Sequence, residues 1–138
     1  MILTFNEKPF NNEQSFKMAY LKHKSKDLTC LCIETEETVK GFPDVMIVDE
    51  QNTVCFEEYK YTKTGVIRFQ STQPAFYKKH KKFVIFVVAY NAKSKKVHYF
   101  PVEELFTEGS PYELTKFATV DLNKAEEMYN ERTYDLEH

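Results

Sequence analysis

Two short stretches of this chain are suited to chemistry: Pro43-Asp44 and Glu58-Tyr59-Lys60, with thirteen residues between Asp44 and Glu58. Each adjoins an apolar run that reads as a strand, Val45-Met46-Ile47-Val48 after the first and Val54-Cys55-Phe56 before the second. Side chains along a strand alternate faces with period two. Val54, Phe56, Glu58 and Lys60 therefore share one face, and Cys55, Glu57 and Tyr59 the other. A carboxylate and an ammonium leave one strand together, and Asp44 can approach from the preceding strand. Paired carboxylates suit magnesium, a hard ion that prefers their oxygens and keeps several waters. Such an ion acts as a Lewis acid and lowers the pKa of a water, which are the two needs of phosphodiester hydrolysis. Asp44 and Glu58 are the candidate ligands. Lys60 is the candidate group to position the attacking water and offset developing charge. Glu57 is a rival acid, but its strand phase separates it from Lys60.

Each position also has a plainer account. Pro-Asp is a common turn dipeptide. Glu58 and Lys60 could be a solvated pair at a sheet edge, worth little energetically. Singly, the plain account is favoured; in this order and strand context, the site is.

The elements that must position these residues alternate along the chain. Asn11 or Asn12 can cap a helix running through Glu13, Phe16, Ala19 and Tyr20 to about Lys24. Asp27–Glu34 reads as a strand, Glu36–Gly41 as a polar turn, and Val45–Val48 and Val54–Lys60 as a hairpin around Asp49–Asn52. Tyr61–Phe69 reads as a loop. Ser71 can cap a second helix, with Pro74 in its first turn, through Phe76, Tyr77 and His80. Phe83–Tyr90 is nearly all apolar, as a strand buried on both faces should be. A turn at Ala92–Lys96, a strand at Val97–Pro101, a short helix at Val102–Phe106, a short strand at Phe117–Val120 and a last helix from Asp121 toward Tyr134 complete the expectation. The class is α/β (α+β): a mixed central sheet flanked by helices, in the order α-β-β-β-α-β-β-α.

The chain has 138 residues, the size of one domain, expected to span 1–135. Leu136-Glu137-His138 reads as the stub of a histidine tag. The formal charge is −2, or −1 without Glu137, and does not advertise a nucleic-acid binder. That average hides a basic cluster at Lys78, Lys79, His80, Lys81 and Lys82, another at Lys93, Lys95 and Lys96, and acids at Glu34, Glu36 and Glu37. The longest apolar stretch, Phe83–Tyr90, is far too short to span a bilayer. Three cysteines, an odd count with no secretory segment, read as reduced thiols of a cytoplasmic protein. Cys30 and Cys32 share a strand face, but a structural zinc site needs about four ligands; burial in a strand is the expected account.

The stretch from Gly41 to Leu105 resembles the PD-(D/E)XK nuclease superfamily, in its Holliday-junction resolvase-like branch and related phage-encoded proteins. The resemblance rests on Pro43-Asp44, the run Phe56-Glu57-Glu58-Tyr59-Lys60, a Gln near a helix start, the apolar strand Phe83–Tyr90, and Tyr99-Phe100-Pro101. It implies a restriction-endonuclease-like fold and a metal-dependent endonuclease that leaves 5′-phosphate and 3′-hydroxyl ends. It further implies Mg2+, with Mn2+ as a substitute, a backbone carbonyl of Tyr59 as third metal ligand, and branched DNA as substrate. The two-fold symmetry of a four-way junction then implies a homodimer. A Gln that touches the site falls on Gln73, with Gln70 a rival; a Gln bonding exposed backbone at a helix start is an equal account. Glu13 is placed as a further carboxylate of the site, against the plainer reading of an acid at a helix N-terminus. For DNA contact, Lys63 and Arg68 lie nearest the catalytic strand, and Lys78 and Lys79 could form a charged rim, unless they simply complement a helix C-terminus. Tyr61 could stack on a base, though packing is the commoner role. His23, His80 and His98 have no partner spacing. The competing class is a non-catalytic nucleic-acid-binding or interaction module on the same scaffold; within the nuclease class, an enzyme cutting linear duplex also fits.

Overall fold

The computed structural model describes residues 10–24, 28–33, 41–117 and 119, with backbone alone at 23 and 24. The acids at 34, 36 and 37, the turn from residue 36, the helix expected from Asp121 and the tag-like Leu136–His138 lie outside the described residues, as does the His23 side chain.

Helix α1 spans Glu13–Lys24. Asn12 rather than Asn11 caps it: the Ser15 N–H donates to Asn12 Oδ1 at 2.8 Å, which satisfies one of the orphan amides of the first turn. Strand β1 (Thr29–Cys32) pairs antiparallel with β2 (Val45–Val48), which pairs antiparallel with β3 (Val54–Thr62). The β2–β3 turn is held by Asp49, whose Oδ1 accepts the N–H groups of Gln51 and Thr53 at 2.9 Å, while Asn52 adopts φ 62°. Helix α2 (Thr72–Lys79) is the crossover that a parallel pair requires. It brings β5 (Ile85–Asn91) beside β3 in parallel, with Glu58 opposite Val87. Strand β6 (Lys96–Pro101) closes the sheet antiparallel to β5, and α3 (Glu104–Glu108) follows. The five-stranded order is β1-β2-β3-β5-β6, a mixed α+β sheet.

The central strand β5 is buried at all seven positions, as its unbroken apolar run requires. Its two faces feed two cores. Phe86, Val88 and Tyr90 join Cys55, Tyr59 and Tyr99 under Phe16 and Tyr20 of α1. Ile85, Val87 and Ala89 join Phe56 and Phe100 under Phe76 and Tyr77 of α2, with Leu105 from α3.

Four expectations are corrected. The loop predicted over Tyr61–Phe69 contains the end of β3 and a two-residue strand β4 (Val66–Ile67), paired with β7 (Tyr112–Glu113) in a separate small sheet. Phe83 lies in the turn before β5 and is 37% exposed. Ser71 makes no side-chain cap bond and has helical φ and ψ. Cys32 is exposed and Cys30 only half-buried, because β1 is an edge strand; Cys55 alone is buried. Of the strand expected over Phe117–Val120, residues 118 and 120 lie outside the described residues, and Thr119 forms a bridge to His98.

Candidate active site

Strand pairing determines where Asp44 sits. Val45 faces Glu57 across the antiparallel ladder, so one residue earlier Asp44 lies opposite Glu58. Two hydrogen bonds hold Asp44 against β3: its N–H donates to Glu58 Oε2 at 3.2 Å, and its Oδ2 accepts the Tyr59 N–H at 3.1 Å. On the other side of Asp44, its carbonyl accepts the Ile33 N–H at 2.8 Å. The strand end is therefore held at both edges.

Gln73, in the first turn of α2, ties the remaining groups together. Its Nε2 donates to Glu58 Oε1. Its Oε1 accepts Lys60 Nζ at 3.2 Å and the Gln70 N–H at 3.1 Å. Between Gln70 and Gln73, the candidates left open by sequence, the side chain of Gln73 reaches the carboxylate and ammonium, while Gln70 contributes its backbone. Gln73 thereby ties the segment just before α2 to the site. Lys60 Nζ lies 3.9 Å from Glu58 Oε1 and 4.5 Å from the centre of the Phe69 ring, so carboxylate and π-face both restrain it.

These groups line one cavity of about 510 Å³ with Gly41, Phe42, the Tyr59 position and Glu13. Glu13 reaches the mouth from the first turn of α1. Although it is exposed, crowding by the wall desolvates its carboxylate enough to raise its pKa; the Asp44 charge adds to this, and Lys60 and Lys17 oppose it. Glu58 is 3% exposed. Burial first, then the Asp44 charge, pushes its pKa up to about 9, against the pull of Lys60. A hydrogen bond with Asp44 favours its neutral form, and the one from Gln73 its charged form. The site is thus a buried acid, Glu58, beside a second carboxylate, with too little positive charge of its own. Among the described residues no three His, Cys, Asp or Glu side chains are grouped so as to hold a metal ion.

Glu57, the rival acid, is fully buried on the opposite face, where the Tyr59 hydroxyl donates to its Oε1 at 2.6 Å. Lys63 and Arg68 are exposed on the segment between β3 and α2 and do not line the cavity. Lys78 and Lys79 are exposed at the opposite end of α2 from Gln73. Tyr61 packs, stacked on Tyr90 with its hydroxyl on the Phe10 carbonyl at 2.8 Å. His98 is buried against the Phe117 carbonyl and Thr119.

One residue of the cavity and one behind it escaped sequence reading. Gly41 adopts φ +88°, and a Cβ there would lie 2.3 Å from the Thr72 carbonyl oxygen; this close approach lets the chain before β2 meet the start of α2. Only its place before Pro43-Asp44 hinted at this. Tyr77 sits one turn beyond Gln73; its hydroxyl is buried with no hydrogen-bond partner among the described residues, and burial with the Glu58 and Asp44 charges raises its pKa. Its helical spacing from Gln73 was the available signal.

No protein-family model matches the chain, and no curated protein matches it by sequence. Among solved structures, the chain is similar to a bacterial homing endonuclease, I-Ssp6803I, at 21% identity and a TM-score of 0.43, over 79% of this chain and 72% of that one. No helix among the described residues is long and apolar enough to cross a membrane.

Proposed function

We propose that the protein is a metal-dependent DNA endonuclease that hydrolyses phosphodiester bonds at the Asp44–Glu58–Lys60 cavity. One observation carries the reading: two opposed carboxylates, an ammonium and a glutamine amide are hydrogen-bonded around a single cavity open to solvent. The donor chemistry fits a hard divalent cation, since the repulsion and desolvation that raise Glu58 are what such an ion relieves. Asp44 and Glu58 would hold it, with the Tyr59 carbonyl as third ligand; Mg2+ is the expected ion and Mn2+ a substitute. When bound, it would supply Lewis acidity and lower the pKa of a water.

The chain's own groups do the rest. Gln73 keeps Lys60 beside Glu58, so the ammonium faces the position of an attacking water and offsets negative charge gathering on the phosphate. Glu13 at the mouth is a further carboxylate able to hold a water by hydrogen bonding. Lys63 and Arg68 take flanking phosphates, with Lys78 and Lys79 further along the strand. Branched DNA is the proposed substrate and a homodimer the proposed assembly.

The test is cleavage of labelled four-way junction, flap and linear duplex with magnesium, manganese or chelator. Cutting should require the metal and fall at least about a hundredfold in both Asp44→Ala and Lys60→Ala. Cutting that survives Lys60→Ala places the active centre elsewhere. Binding without cutting, unchanged by either substitution, identifies a binding module.

A further inference from the structure

The far end of α2 carries a second surface, of which the proposed cleavage uses only Lys78 and Lys79. Lys78, Lys79, His80, Lys81 and Lys82 are consecutive in a chain of net charge −2, and the four lysines are exposed. Beside them, toward α3, lies a groove of about 380 Å³ whose lining includes Ile85, Val102, Phe83 and Phe106, together with Lys81 and one acid, Glu103. The two phenylalanines are each 37% exposed. An adjoining recess of about 400 Å³ is formed by Lys79–Phe83. Phe83 extends an aromatic stack, 5.5 Å from the His80 ring and 6.1 Å from Phe76, each at 21°. Lys78 Nζ lies 5.2 Å from the centre of the Phe106 ring.

Flat aromatic faces bordered by ammonium groups match a ligand that is itself flat, aromatic and anionic at every repeat. Single-stranded nucleic acid has that chemistry: unpaired bases stack on aromatic side chains while lysines track the phosphates. An acidic peptide would satisfy the lysines and leave the rings uncovered. Intact duplex would present phosphates with its bases already stacked on one another.

We propose that this groove binds an unpaired base of a DNA strand against Phe83 and Phe106, with neighbouring phosphates on Lys79, Lys81 and Lys82. The proposal rests on the nuclease reading for the kind of nucleic acid and deepens it by naming a substrate feature. Helix α2 joins the two sites. Gln73 to His80 is seven residues, roughly 10 Å at the helical rise, or roughly three nucleotide steps at the duplex rise and fewer in an extended strand. A strand held at the cavity reaches the groove with a base within about three positions of the bond to be cut. Substrates unpaired there are the ones selected.

Fluorescence anisotropy of a labelled oligothymidylate and of a blunt duplex of equal length, in chelator so that nothing is cut, tests this on the full chain. The oligothymidylate should bind more tightly than the duplex. Phe106→Ala should weaken it by about five- to a hundredfold, and Phe106→Tyr should restore it. Lys81→Glu with Lys82→Glu, both fully surface changes, should flatten the dependence of log affinity on log salt by about 0.7 per lysine. Equal binding by native and Phe106→Ala protein overturns the proposal. So does a duplex bound as tightly as the single strand, or polyglutamate bound in a Phe106-dependent way where the oligothymidylate is not. Cutting in magnesium is scored separately: groove binding with no cutting on any substrate sinks the nuclease reading and leaves the groove standing.

Discussion

At the scale of single residues, Glu58 depends most on its surroundings. Burial and Asp44 push its pKa up to about 9, whereas in an unfolded chain it titrates near the usual carboxylate value. Between those values the folded state holds one more proton, so metal-free stability is full at low pH and is lost as pH rises toward about 9. Urea midpoints in chelator should decline from about pH 5 to about pH 9, by at least about 1 kcal/mol in stability, and Glu58→Gln should flatten the decline. Magnesium should stabilise the native protein more at the alkaline end, where a cation replaces the missing proton. Parallel pH slopes in native and variant protein would put the buried proton on another group. The shared face of Glu58 and Lys60, and the exclusion of Glu57 from it, could be read from parity alone, since a strand allows each side chain one of two sides. The choice of Gln73 over Gln70 could not, because it depends on how α2 is rotated over the sheet.

At the scale of elements, α2 and the segment before β2 meet through Gly41. Alanine there would need a left-handed backbone conformation and would run into the Thr72 carbonyl. Gly41→Ala is expected to cost about 1–3 kcal/mol and to lower cleavage with it, because Asp44 and Gln73 lie on the two sides of that contact; a shift in denaturation midpoint below the error of measurement would show that the approach is not needed. The long elements were legible because each repeats its pattern: three-to-four spacing in α1, alternation in β3, an unbroken apolar run in β5. The small β4–β7 sheet was not. Two residues carry no period, and Val66 pairs with Glu113, a partner remote in sequence. Phe83 misled for a related reason: its apolar character serves a surface turn, which no local pattern separates from the first residue of a strand.

At the scale of the whole molecule, β3 and β5 belong to both cores, so neither layer can dissolve while the other persists. The chain has no Trp and nine Tyr, and Tyr20, Tyr59, Tyr90 and Tyr99 are packed on the α1 side. Tyrosine fluorescence is therefore weighted toward that layer, with Tyr77 and Tyr112 on the other, while far-ultraviolet circular dichroism reports all elements. Urea transitions followed by the two signals should coincide; separated midpoints would mean that the layers melt independently. The buried contact between Glu57 and the Tyr59 hydroxyl acts at this scale too. A strand slipped by one residue turns every side chain over, which would drive an ammonium into the aromatic layer and strand the tyrosine partner in water. Glu57 thereby proofreads the reading frame of the acid proposed to hold the metal.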